Sequence, residues 1–178
     1  MMLDFARLAA DHSLGFVVTA LIICLVAGWL LSQLLQRVGE SEGQQRALWF
    51  GGTAVVAGLG VWTTHFIAML GYRPDLALSY GGGTTVASAF VAIVIAGMPL
   101  AVTPLVASWR KRASLGAVAG LGIGAMHYSG MAAIEGCIQT HSVFAAILSS
   151  AVGALALALA CGLRIRAATS QIICGLFT

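Results

Sequence analysis

The chain has 178 residues, of which 60% are hydrophobic and only 8% charged, against about 25% charged in an ordinary soluble domain. That balance excludes a soluble globular domain and points to a polytopic membrane protein. The formal net charge of +3 comes from nine basic and six acidic residues placed in short loops, which is not a nucleic-acid footprint.

Uncharged runs recur along the chain at 13–36, 47–72, 76–109, 113–134 and 136–163. Each holds at least the roughly 20 residues needed to cross a hydrocarbon core of about 30 Å. The runs predict helices at about 14–36, 47–70, 82–106, 114–134 and 142–163. The first has too long an apolar part for a cleaved signal peptide, and Asp4, Arg7 and Asp11 flank it, so a retained first span is expected. Helix three contains Pro99 and Pro104, each of which removes an amide donor, so a kink toward its inner end is expected. Gly81-Gly82-Gly83 before it lacks the context of a phosphate loop and carries no nucleotide role. The start of a sixth helix is expected near 166, where Arg166-Ala167-Ala168 resembles Arg112-Ala113-Ser114.

The expected fold class is therefore all-α: a polytopic transmembrane helical bundle of five complete helices plus the start of a sixth, built from repeated helical hairpins. Residues 1–178 are expected to form one domain, with a third repeat beginning near 166 and cut short at the C-terminus. Arg37, Arg46, Arg110, Lys111, Arg112, Arg164 and Arg166 fall on one side of such a bundle, and Arg7 and Arg73 on the other. The positive-inside rule then places the loops near 37–46, 107–113 and 164–166 in the cytoplasm and the N-terminus outside. Cys24, Cys137, Cys161 and Cys174 form no CxxC pair and indicate neither a disulfide framework nor a zinc ribbon.

One short signature occurs twice: Thr64-His65-Phe66-Ile67-Ala68-Met69 and Met126-His127-Tyr128-Ser129-Gly130-Met131. In both, His and Met are four apart and share a helix face. An imidazole and a thioether form a ligand set that suits copper. Polar rings inside a bilayer are costly and commonly functional. On a rise of 1.5 Å per residue, His65 lies about 27 Å and His127 about 21 Å from the inner ends of their helices, both in the outer third of the membrane. His12 and His141 are expected at the outer ends of helices one and five. Gly116, Gly120 and Gly124 share a stripe with His127 and Met131, and Ala47, Gly51, Ala54 and Gly58 share one with His65 and Met69. Small residues mark close helix packing, so the ligand-type side chains are expected to face the bundle interior. Phe66 and Tyr128 are expected in the interfacial aromatic belt.

Met126-His127-Tyr128-Ser129 is one substitution from Met-His-Tyr-Thr, and the chain from about Asp11 onward resembles the MHYT domain, a bacterial integral membrane sensor module. The resemblance implies a copper site with His65, Met69, Met126, His127 and Met131 as ligands and His12 as a weaker match; His141, on the same side, is a weaker candidate by position. It implies sensing of a diatomic gas (oxygen, carbon monoxide or nitric oxide) or of redox state, in the bacterial inner membrane. Partners implied are the lipid bilayer, a cytoplasmic cyclic-di-GMP cyclase or phosphodiesterase domain outside this chain, and a second copy in a homodimer. Thr64 departs from the family pattern, so that position offers no thioether. The competing readings are metal or proton permeation, and a membrane anchor with structural histidines. Haem with His65 and His127 as axial ligands is a further arrangement. The chain has no carboxylate pair or nucleophile set in its spans, so it is not expected to be an enzyme.

Overall fold

A computed structural model describes residues 13–71, 79–135 and 142–163. Five long helices follow in chain order: α1 (Leu14–Glu40), α2 (Gly43–Leu70), α3 (Gly82–Leu105), α4 (Trp109–Met131) and α5 (Val143–Gly162). Four of them, α1, α2, α3 and α5, are long and apolar enough to cross a membrane. α4 has 23 residues but is not among the four. Its glycines, His127 and the Arg110-Lys111-Arg112 run dilute its apolar character. The expected five spans are thus four by length and apolarity, and the start of a sixth lies outside the described residues.

The helices run further than the apolar runs do. Only Ser41 and Glu42 separate α1 from α2, so Arg37 and Arg46 lie on helical turns rather than in a loop. Likewise α4 begins at Trp109 and takes in the three cations. Arginine and lysine are good helix formers, and a helix need not stop where the hydrocarbon does. Past α4, Ile134–Glu135 pairs antiparallel with Ser79–Tyr80 before α3, a short ladder that the sequence did not suggest.

Backbone contacts fix the directions. Ser13 N–H donates to Gly71 O, bringing the start of α1 to the end of α2. Gly81 N–H donates to Ala133 O, bringing the start of α3 to the end of α4. Consecutive helices therefore alternate, and α2 and α4 run parallel. All five described basic residues (Arg37, Arg46, Arg110, Lys111 and Arg112) lie at the end opposite Gly71 and Ala133.

α3 is the wedge between the two outer hairpins. Its buried residues include Ser88, Ala92, Ala96, Gly97, Leu100 and Ala101. A Cβ on Gly58 of α2 would sit 2.5 Å from Ile93 Cα, and one on Gly122 of α4 would sit 2.6 Å from the Ile95 carbonyl carbon. Bare backbone on both flanks is what lets α3 lie this close. The middle of α3 is π-helical over Ala92–Gly97, where Met98 N–H bonds to Ile93 O five residues back. A 3₁₀ turn at Thr103–Leu105 follows. Pro99 cannot donate to the carbonyl four residues before it, and the wider turn directly precedes it. Where a kink toward the inner end is expected, this helix carries a π-helical stretch at Ala92–Gly97 and a 3₁₀ turn at Thr103–Leu105. α3 then leans toward α1, with Pro104 Cβ 3.6 Å from a Cβ position on Gly39. That crossing explains why Ala54 and Gly58 of the α2 stripe are buried while Ala47 and Gly51 are exposed. On the outside, Leu21, Ile22 and Leu25 of α1 and Ile147, Leu148 and Val152 of α5 are exposed, as lipid-facing residues should be.

Arg112 is buried without a carboxylate. Its guanidinium donates to Val106 O (3.2 Å), Ala107 O (2.5 Å), Cys161 O (3.2 Å) and Gly162 O (3.0 Å). Two of these are the last carbonyls of α5, where the helix dipole favours a cation. Arg112→Ala strands buried carbonyls and is expected to cost about 2–3 kcal/mol. Arg112→Lys is expected to recover only part of it, because a point charge cannot fork to four acceptors. Thermal unfolding in detergent checks both, and an Arg112→Ala protein as stable as wild type would refute the clamp.

Candidate metal centre between α2 and α4

His65 lies five residues before the end of α2 and His127 four before the end of α4. At 1.5 Å per residue both rings sit about 6–8 Å inside the helix ends. Because α2 and α4 are parallel and held by the same wedge, the two rings meet. Nδ1 of His65 and Nδ1 of His127 are 3.2 Å apart, with ring centroids 4.7 Å apart at 66°. The expectation that the ligand-type rings turn inward and converge is met for this pair.

Aromatic residues brace the rings. Phe66 packs edge-on to His65 (5.3 Å, 84°) and Tyr128 edge-on to His127 (4.9 Å, 84°). Both are half-buried. Trp62 stacks obliquely on Phe66 at 4.7 Å, and its indole N–H donates to the Ser88 hydroxyl at 3.0 Å. Ser88 is fully buried and donates in turn to Thr85 O at 2.7 Å. The Tyr128 hydroxyl lies 3.1 Å from Ser149 Oγ.

His65 Nε2 is buried and has no hydrogen-bond partner among the described residues. A Cβ on Gly130 would stand 2.9 Å from that nitrogen and 3.2 Å from Cδ2. Gly130 thus keeps a place for the His65 ring. Gly130→Ala is expected to push the ring off His127 and weaken any ion held by the pair by about 10-fold or more, the scale seen when a supporting residue of a metal ligand is lost. Copper titration of the variant checks this; unchanged affinity would show that the ring position is not critical.

The other expected ligands divide. Met126 is 1% exposed and lines the same cleft as both histidines. Met69 and Met131 are half-buried one turn further along α2 and α4 and do not line that cleft. His12 and His141 lie outside the described residues. Among the described residues no three of His, Cys, Asp and Glu come together, so sulfur at this pair would be methionine's. Sequence reading missed Ser88 and Ser149, and it marked Gly130 only as the small residue of the repeated signature: a serine in an apolar run carries no signal until its neighbour across the helix pair is known.

The pair passes a simple geometric test. Two nitrogens bound to one ion at about 2.0–2.1 Å are about 3.3 Å apart at a tetrahedral angle and about 4 Å apart when opposite. The 3.2 Å separation matches the first. It does not match opposed axial ligands with a haem ring between them.

A family profile named MHYT and described as "Bacterial signalling protein N terminal repeat" matches residues 58–116 and 120–175. Each histidine of the pair falls at the same offset from the start of its matched repeat. An "Uncharacterized signaling protein" of Caulobacter vibrioides is 36% identical over 71% of this chain and 16% of its own length. The "Cyclic di-GMP phosphodiesterase NbdA" of Pseudomonas aeruginosa is 34% identical over 84% of this chain and 19% of its own. The "Bifunctional diguanylate cyclase/cyclic di-GMP phosphodiesterase MucR" of the same organism is 30% identical over 71% and 19%. The chain thus spans less than a fifth of the length of these curated relatives. No solved structure matches it.

Proposed function

The chain belongs to the MHYT family of bacterial signalling repeats, and from that premise we propose that it is a membrane-embedded sensory input module with a copper site at His65 and His127. The observation that carries the reading is the 3.2 Å approach of two imidazole nitrogens, one from each matched repeat. Met126 lines the same cleft as both histidines and is the sulfur donor assigned to join them, with Met69 and Met131 a turn away. Copper bound there supplies a soft centre able to take a diatomic gas or change redox state. His65 and His127 orient the site, Phe66 and Tyr128 hold their rings, and Gly130 sets the ring position.

The basic residues at the opposite end favour placing that end in the cytoplasm and the histidine end outside. A movement of α2 against α4 at the site would alter the α3 wedge and the Arg112 clamp at the inner end. A cytoplasmic output domain acting on cyclic di-GMP, as the names of two relatives describe for those proteins, would take the signal. Copper analysis of protein purified from copper-supplemented cells tests the reading. About one copper per chain is expected; a negligible content under reducing and oxidising conditions alike would overturn it.

A second reading rests on the same distance. At 3.2 Å one Nδ1–H can donate to the other Nδ1, making the pair interhelical glue in a membrane anchor. It differs in what asparagine can replace.

A further inference from the structure

α3 is tied to the histidine pair in its outer half and to Arg112 at its inner end. On the outer side His65 packs on Phe66, Phe66 on Trp62, and the Trp62 indole N–H donates to the buried Ser88 hydroxyl of α3. On the inner side the carbonyls of Val106 and Ala107, just past α3, accept from the Arg112 guanidinium. Between the two ties lies the π-helical stretch Ala92–Gly97. Pro99 narrows the difference between its two hydrogen-bond registers. Met98 N–H donates to Ile93 O, five residues back, where an α-helix would use Val94 O. The next donor in α register would be residue 99, bonding to Ile95 O, but proline has no N–H. Ile95 O lies instead against bare backbone, 2.7 Å from a Cβ position on Gly122. The ladder is already interrupted here, so exchanging one register for the other sacrifices few bonds.

We propose that Ala92–Gly97 is a register switch: it passes between π-helix and α-helix and so turns the outer half of α3 against the inner half. A π-helical bulge accommodates one residue more than the α-helix around it, and one residue is about 100° of rotation. Displacement of the His65 ring shifts Phe66 and Trp62, and the Trp62 hydrogen bond carries the shift to Ser88. The switch converts it into a different hold of Val106 and Ala107 on Arg112. Packed segments change between discrete arrangements rather than deforming continuously, and two hydrogen-bond registers supply such a pair. For its stimulus the inference rests on the sensory reading above; it adds the element that carries the signal inward.

Amide hydrogen exchange of residues 105–108, followed in the full chain in phosphatidylcholine nanodiscs, tests the switch. Residues 42–45, in the α1–α2 turn at the same end, control for general loosening. In metal-free protein His65→Ala is expected to change exchange at 105–108 by about 5-fold or more relative to the control, the low end of usual coupling between sites. Cu(I) loading of the wild type should change it as well. Two variants disable the switch. Deletion of Val94, an exposed residue, removes the additional residue of the π-helical stretch. Pro99→Ala restores a donor for Ile95 O and favours the α register. The response to His65→Ala should vanish in both. An unchanged 105–108 segment in His65→Ala, or a response that persists in either folded switch variant, would overturn the proposal. Pro99→Ala decides it if the deletion does not fold. A response to His65→Ala without one to Cu(I) supports the switch and counts against the copper site, so the two fail separately.

Discussion

Replacing His65 and His127 together by alanine is expected to lower Cu(I) affinity by at least about 100-fold, since loss of a mere supporting partner already costs 10–100-fold and here both imidazoles go. Each single variant should lose most of that affinity, because the remaining ring has no nitrogen partner at 3.2 Å. The asparagine pair separates the two readings of the site. His65→Asn with His127→Asn keeps amides able to hydrogen-bond across the helices but removes imidazole ligation. A metal centre loses copper in that variant. Interhelical glue keeps both stability and whatever copper the wild type held. Competition against a Cu(I) chelator, with thermal unfolding measured alongside, reads both quantities.

Gly58→Ala and Gly122→Ala are expected to be strongly damaging methyl additions outside the site. The new Cβ meets main chain of α3, Ile93 Cα at 2.5 Å in one case and the Ile95 carbonyl carbon at 2.6 Å in the other. Backbone cannot rotate away as a side chain can. Overpacking of this kind costs about 1–3 kcal/mol, and both sites press on the π-helical segment Ala92–Gly97. Gly28→Ala is the control: its Cβ meets nothing within 4 Å, and a change within about 0.5 kcal/mol is expected. Because α3 holds α2 and α4 at their present distance, the two damaging variants should also weaken copper binding without touching a ligand. Wild-type stability in both, measured by unfolding in detergent, would mean that α3 is not the wedge described.

What the sequence made legible follows from the solvent. A bilayer allows only helices or closed barrels, so long uncharged runs announce helices almost directly. The repeated His-x-x-x-Met spacing likewise marked His65 and His127. Their convergence was a weaker inference, since it depends on α2 and α4 being parallel and on α3 fitting between bare glycines. Helix ends were misjudged at Arg37, Arg46 and Arg110, because charge marks where hydrocarbon ends and not where hydrogen bonding ends. Pro99 and Pro104 foretold an irregular α3, but not that the irregularity would be a π-helical stretch seated on Gly58 and Gly122.

The most direct test of a shared centre is X-ray absorption at the copper K-edge of the copper-loaded protein. Two imidazole nitrogens and at least one sulfur around a single copper are expected, with the imidazole scattering lost in the double alanine variant. A copper surrounded only by light atoms, with the same spectrum in wild type and variant, would contradict a site built by these two helices.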